Sequence, residues 1–268
     1  MNDIALKSQV IDLLQLAHHA EQGLMDGVPE AEREVSGTPG RMSVKDLVAH
    51  VTAAKQRETL RLAVAAEGGT PESDDHDPAQ IVNDHQHCPW SDIQAEAEQA
   101  FNALVGQVER FTLEDLSDSR RYPWLRGRPL VAEILGYGLW HPVSHLAEWY
   151  RRQDQVPHLD RRYHSLVPVY HPEWYRRQGQ VPHLDRLYHS LLDALPHDVQ
   201  AVLAHDASSL YNLAGVYGVL GQAAPALRLL SAALELNPEL RPELRDDPDF
   251  EALRTDPAFL DLQAKQPD

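Results

Sequence analysis

The chain has 268 residues, 43% hydrophobic and 24% charged, which excludes a wholly disordered polypeptide and allows one generous domain or two ordinary ones. Lys and Arg (24) fall well short of Asp and Glu (41), a formal charge of −17 spread over both halves, so no basic patch is expected for nucleic acid or an anionic membrane. A single cysteine, Cys88, an opening MNDIALKSQVIDLL without a cleavage pattern, and no run near the roughly 18 apolar residues of a membrane span predict a soluble, cytoplasmic protein.

The chain reads as all-α. Leu6, Val10, Leu13, Leu14 and Ala17 fall on one face of a first helix, followed by a loop rich in Gly, Pro and Glu. Ser43-Val44-Lys45-Asp46 resembles a capping box and opens a second helix with Leu47, Val48 and Val51 inward, ending before Gly68 and Gly69. A crossover over 68–89 is polar at first and ordered near Ile81-Val82-Asn83. Trp90 to Arg110 fits a third helix with Ile93, Ala97, Ala100, Phe101, Leu104 and Val108 on one side. The fourth starts near Pro129 and carries Ile134, Gly138, His141 and His145; Pro142 should kink it, with Gly138 tolerating the bend. These four helices predict a bundle over 1–152.

A near-exact repeat follows. Residues 148–166 and 173–191 agree at seventeen of nineteen positions, which reads as a recent tandem duplication inside a linker over 153–205. Residues 206–262 form a tetratricopeptide-like helix pair and a capping helix: Leu210, Leu213, Ala214, Tyr217, Ala226, Leu230 and Ala233 fill the small and large positions, and Gly221 makes the turn. Phe250, Leu253 and Phe259 anchor the cap.

His50 lies on the inward stripe of the second helix, and His141 and His145, four apart, share one face of the fourth. Three imidazoles from two facing helices make a site for a divalent metal with open positions for water or substrate. Glu148 is a candidate base three residues after His145. Asp46 is placed either to orient His50 or to cap its helix. Tyr137 and Trp140 flank the histidines, and Asn83 and His85 sit where the crossover returns; all four are candidate pocket residues.

The strings MSVKDLVAHVTAAKQ, PWSDIQAEAEQAFNALVGQVERFTLEDL and YPWLRGRPLVAEILGYGLWHPVSHLAEWY, with Asn83 between the first two, resemble the DinB-like four-helix-bundle superfamily over about residues 3–152, most closely its ClbS/DfsB branch. The resemblance implies Ni or Zn on His50, His141 and His145, and activity as a hydrolase or a transferase using a low-molecular-weight thiol. For the ClbS/DfsB branch it implies instead a metal-independent self-resistance protein that binds or hydrolyses a reactive genotoxic small molecule. Met42 departs from the Trp usual before the S-V-K segment. The expectations are therefore a metal-dependent enzyme on a small-molecule substrate, a metal-free resistance protein, or an interaction protein whose C-terminal helices recruit a protein partner. Exchange of the duplicated segment between chains would give a homodimer.

Overall fold

A computed structural model describes residues 3–37, 42–72, 78–154, 189 and 191–264. They are helical and contain no strand, and no helix among them is long and apolar enough to cross a membrane. The chain divides into two compact units, Met1–Leu187 and Tyr188–Asp268.

The first unit is built on four long segments. Helix α1 (Asp3–Gly27) buries Leu6, Val10, Leu13, Leu14 and Ala17 as its spacing requires. The loop expected next contains one short helix, α2 (Glu30–Arg33). Helix α3 (Val44–Ala66) opens with a full capping box: Ser43 accepts from the Asp46 amide, and the Asp46 carboxylate accepts from the Ser43 amide. The crossover holds α4 (Pro78–His85), and α5 (Trp90–Val108) buries the six apolar residues on its predicted face. Pro89 gives α5 no side-chain cap, so the cap comes from elsewhere. Glu34 accepts from the Trp90 amide at 2.9 Å and from the buried Lys45 ammonium at 3.1 Å, and these bonds lower its pKa. Leu24, Val28, Val44, Leu47, Val48, Val51, Trp90, Ile93 and Leu146 form one core between these helices.

The fourth segment departs from the expected kink. Beyond the short helix α6 (Leu113–Ser117) and a 3-10 turn (Pro123–Leu125) come α7 (Leu130–Leu135), a π-turn (Gly136–Trp140) and α8 (His141–Asp154). Pro142 has no amide to offer the Gly138 carbonyl, and its ring would collide with that oxygen in an α-helix. The wider turn relieves both problems, and the His141 amide reaches back five residues to the Gly136 carbonyl. Gly138 has another use than flexibility: a Cβ there would collide with Leu14 Cδ2 and stand 3.1 Å from Leu104 Cδ2. Its lack of a side chain lets α1 and α5 approach the π-turn.

In the second unit, helical structure precedes the expected pair. Residues 191–194 are helical, and α9 (His197–Leu203) buries Val199, Val202 and Leu203 where the sequence reads as linker. The expected pair is α10 (Ala207–Val219) and α11 (Ala223–Leu236), with Gly221 at φ 69 in the turn. Ala214, Ala226 and Ala233 are fully buried between them. Two 3-10 segments (Pro238–Arg245 and Pro248–Leu253) and α12 (Pro257–Ala264) close the pair with Leu244, Phe250, Leu253 and Phe259. The second 3-10 segment lies so close to α10 that a Cβ on Gly218 would stand 2.6 Å from the Asp249 carbonyl oxygen. Gly218→Ala is therefore expected to destabilise this unit by about 1–3 kcal/mol, because a backbone atom cannot swing aside as a side chain can. Urea unfolding followed on this unit checks it; an unchanged midpoint would show that the 3-10 segment yields freely.

Residues 155–188, and with them most of the duplicated segment, lie outside the described residues.

Candidate metal centre

The capping box and the π-turn decide where three histidines point. Asp46 is committed to the start of α3, its Oδ2 accepting from Ser43 N–H, Ser43 O–H and Gly37 N–H at 2.7–2.8 Å. Of the two roles open to it, this is the cap. One turn later His50 is buried, and the half-buried His141 and His145 face it from α8.

The three rings meet at their edges. His141 Nε2 lies 3.0 Å from His50 Nε2 and 3.0 Å from His145 Nε2, and the ring pairs cross at 63–87° with centroids 4.6–4.9 Å apart. No choice of tautomers satisfies both short contacts. As a donor His141 Nε2 serves one neighbour, and as an acceptor it has one lone pair for two donors. A cation placed among the nitrogens accepts all three lone pairs at once. Two nitrogens about 2.1 Å from a common ion and about 90° apart are about 3.0 Å from each other, as found here.

Electrostatics keep these lone pairs available. Burial, then the neighbouring His145 and Arg57, lowers the His50 pKa to about 4. Burial, His145, His50, Arg57 and Lys55 together lower that of His141 to about 3. Nδ1 of His50 and Nδ1 of His141 are buried with no partner among the described residues, so no carboxylate or carbonyl of those residues fixes their tautomers. The donor set fits a divalent ion: three imidazole nitrogens within 4.8 Å of one another, from two helices.

These depressed values set the acid sensitivity of the metal-free protein. Between pH 6.5 and about 4 for His50, or about 3 for His141, the unfolded chain binds a proton that the folded chain refuses. Stability is therefore present above pH 6.5 and falls as pH drops through that window, by at most about 1.4 kcal/mol per unit for each ring and less where solvent screens it. Urea melts from pH 7 to 4.5 should show a shallower loss in His50→Gln. Equal slopes would contradict the assignment.

The other predicted site residues divide. Tyr137 lies in the π-turn, its hydroxyl accepting from Arg61 at 3.3 Å, and Trp140 is buried there. His85 bonds the Ile81 carbonyl through Nδ1 and faces Glu96 through Nε2 at 3.3 Å, while Asn83 is exposed on α4. Glu148 lies on α8, and its side chain is outside the described residues. Cys88 is half-buried, with Sγ 3.9 Å from the Asp84 carbonyl.

Sequence reasoning missed a set of buried charges. Lys55 and Glu21, 1% and 3% exposed, pair at 2.5 and 2.7 Å. Further along α3, Arg61 meets Glu58 at 3.4 Å and Glu133 at 2.8 Å, and its guanidinium lies over the rings of Trp124 and Tyr137. Arg128 also reaches Glu133, at 2.9 Å. The signal was periodic: Lys55 and Glu58 fall in the same stripe as Leu47, Val51, Leu62 and Ala65.

Beyond its geometry, the chain matches the family model of the DinB superfamily over residues 13–149. It belongs to the DinB superfamily. No curated protein and no solved structure matches it. The matched span of this DinB-superfamily chain contains His50, His141 and His145.

Proposed function

We propose that the protein is a metal-dependent enzyme of the DinB superfamily, a hydrolase or small-thiol transferase acting on a small molecule. The observation that carries this reading is the convergence of three imidazole nitrogens, two of them 3.0 Å from the third, in surroundings that keep His50 and His141 neutral. Ni or Zn held there would supply Lewis acidity and lower the pKa of a water or thiol in an open position. The chain itself contributes orientation. Helix α3 holds His50 through its capping box, and the π-turn fixes the direction from which α8 presents His141 and His145. Glu148, on α8 next to the histidine pair, is proposed as the base. Tyr137 and Trp140 are proposed to line the substrate side.

A metal-free pocket of the ClbS/DfsB kind would have no use for three converging lone pairs that cannot satisfy one another, which favours the metal reading. The test is metal analysis of untagged protein beside His50→Ala. About one divalent ion per chain, lost in the variant, is the expected result. Wild-type protein that neither retains nor takes up Ni or Zn would overturn the proposal.

A further inference from the structure

The fourth segment meets α3 at two places along its length. At one, Arg61 Nη2 lies 2.8 Å from Glu133 on α7, and Nη1 donates to the Tyr137 hydroxyl in the π-turn at 3.3 Å. The same guanidinium is 3.4 Å from Glu58 and lies over the rings of Trp124 and Tyr137, 5.0 and 5.7 Å from their centroids. At the other, His50 Nε2 meets His141 Nε2 at 3.0 Å. Arg61 follows His50 by eleven residues on α3, about three turns on and within about 20° of the same face. Glu133 and His141 are eight residues apart, which in an unbroken α-helix would turn them about 80° from each other. The π-turn absorbs one extra residue, so the eight act as seven and the difference falls to about 20°. That residue is what lets Glu133 and His141 face α3 together. Pro142 forces a break in the α-helical pattern, but it does not fix how far the chain after the break is turned.

We propose that Arg61 is a positioning residue of the metal centre, holding the π-turn in the register that brings His141 and His145 to His50. The inference rests on the metal reading above. Glu133 precedes the π-turn and Tyr137 lies within it, so one side chain ties both to the helix that carries His50. A planar guanidinium serves a carboxylate, a hydroxyl and two ring faces from fixed directions, which a single ammonium cannot do. A slip of one residue out of the π-turn would swing His141 about 100° away from His50. The candidate ligands are His50, His141 and His145, so Arg61 acts through the direction of His141 and not on the ion itself.

The experiment titrates the full chain with Co(II), whose visible absorption reports both its binding and its ligand geometry, beside urea unfolding of the same samples. Arg61→Gln is expected to bind cobalt about tenfold more weakly and with an altered absorption band. Arg61→Lys keeps a charge facing Glu58 and Glu133 but loses the fork, and is expected to bind about threefold more weakly. Leu62→Ala opens a cavity at a fully buried position next to Arg61; it is expected to lose stability while cobalt affinity stays within about twofold of wild type. If Arg61 only supported the packing, Arg61→Gln would lose stability yet keep the wild-type affinity and absorption. That result, or an equal loss of cobalt affinity in Leu62→Ala, would overturn this inference and leave the metal reading standing. Should Arg61→Gln fail to fold, Arg61→Lys decides, and wild-type affinity and absorption there would overturn the inference. Absence of cobalt binding by wild type would overturn both.

Discussion

His141→Ala is expected to weaken ion binding by at least about 100-fold and to abolish the stabilisation that an added ion confers. His141 is the middle member of the cluster, 3.0 Å from each of the other two Nε2 atoms. Without it the remaining pair belongs to two different helices and no longer encloses a third ligand position. The effect on the metal-free protein should be smaller. Truncation removes packing, but it also removes a buried Nδ1 that has no partner among the described residues, and the two contributions have opposite sign. Thermal melts with and without excess Zn separate them. At about 100 times its dissociation constant an ion adds about 2.7 kcal/mol to the stability of a one-site protein, and this increment should vanish in the variant. Tyr137→Phe, which removes only a hydroxyl bonded to Arg61, should keep it. An equal Zn-induced shift in wild type and His141→Ala would show that zinc binds elsewhere.

Much of this site was legible because helical periodicity is a strong signal. The i, i+4 spacing of His141 and His145 and the stripe position of His50 place all three on inward faces before any contact is known. The capping box was visible in Ser43 and Asp46, and its geometry also removed one of the roles open to Asp46. What the residues did not show was how Pro142 would be accommodated. A kink and a π-turn both answer the loss of one amide, and the choice depends on how closely Leu14 and Leu104 approach Gly138. The helical content of 191–203 was hidden by the adjoining repeat, whose histidines, prolines and arginines dominate the local composition. The short 3-10 segments after α11 follow Asn237 and Asp247, whose side chains accept from amides two residues on, a local bond without any apolar period. The buried charges were missed for a different reason. Stripe reading assigns charged residues to the solvent face, so Lys55, Glu58 and Glu21 were passed over although their phase placed them in the core.

That core phase gives the largest expected stability effect in the chain. Lys55→Met should destabilise the first unit by about 3–5 kcal/mol, because it leaves the Glu21 carboxylate, 3% exposed, without the ammonium that both its oxygens touch. Methionine keeps the volume of the lysine stem, so the loss reports charge rather than a cavity. The companion Glu21→Gln should also cost stability, since it leaves the ammonium facing an uncharged amide. The double variant Glu21→Leu/Lys55→Met should recover most of the loss. Desolvating two ions consumes much of what their attraction returns, and an apolar pair of similar size avoids that cost. A double-mutant cycle by urea unfolding reads these effects directly. If Lys55→Met alone cost less than about 1 kcal/mol, water would have to reach Glu21, and its carboxylate would not be buried in the way its 3% exposure indicates. If the double variant fell as far as the worse single one, the pair would be required for the packing of α1 on α3 and not merely tolerated within it. Metal analysis of the double variant connects this result to the centre. Lys55 is one of the charges that suppress protonation of His141, so an apolar replacement should leave ion stoichiometry intact while easing that suppression.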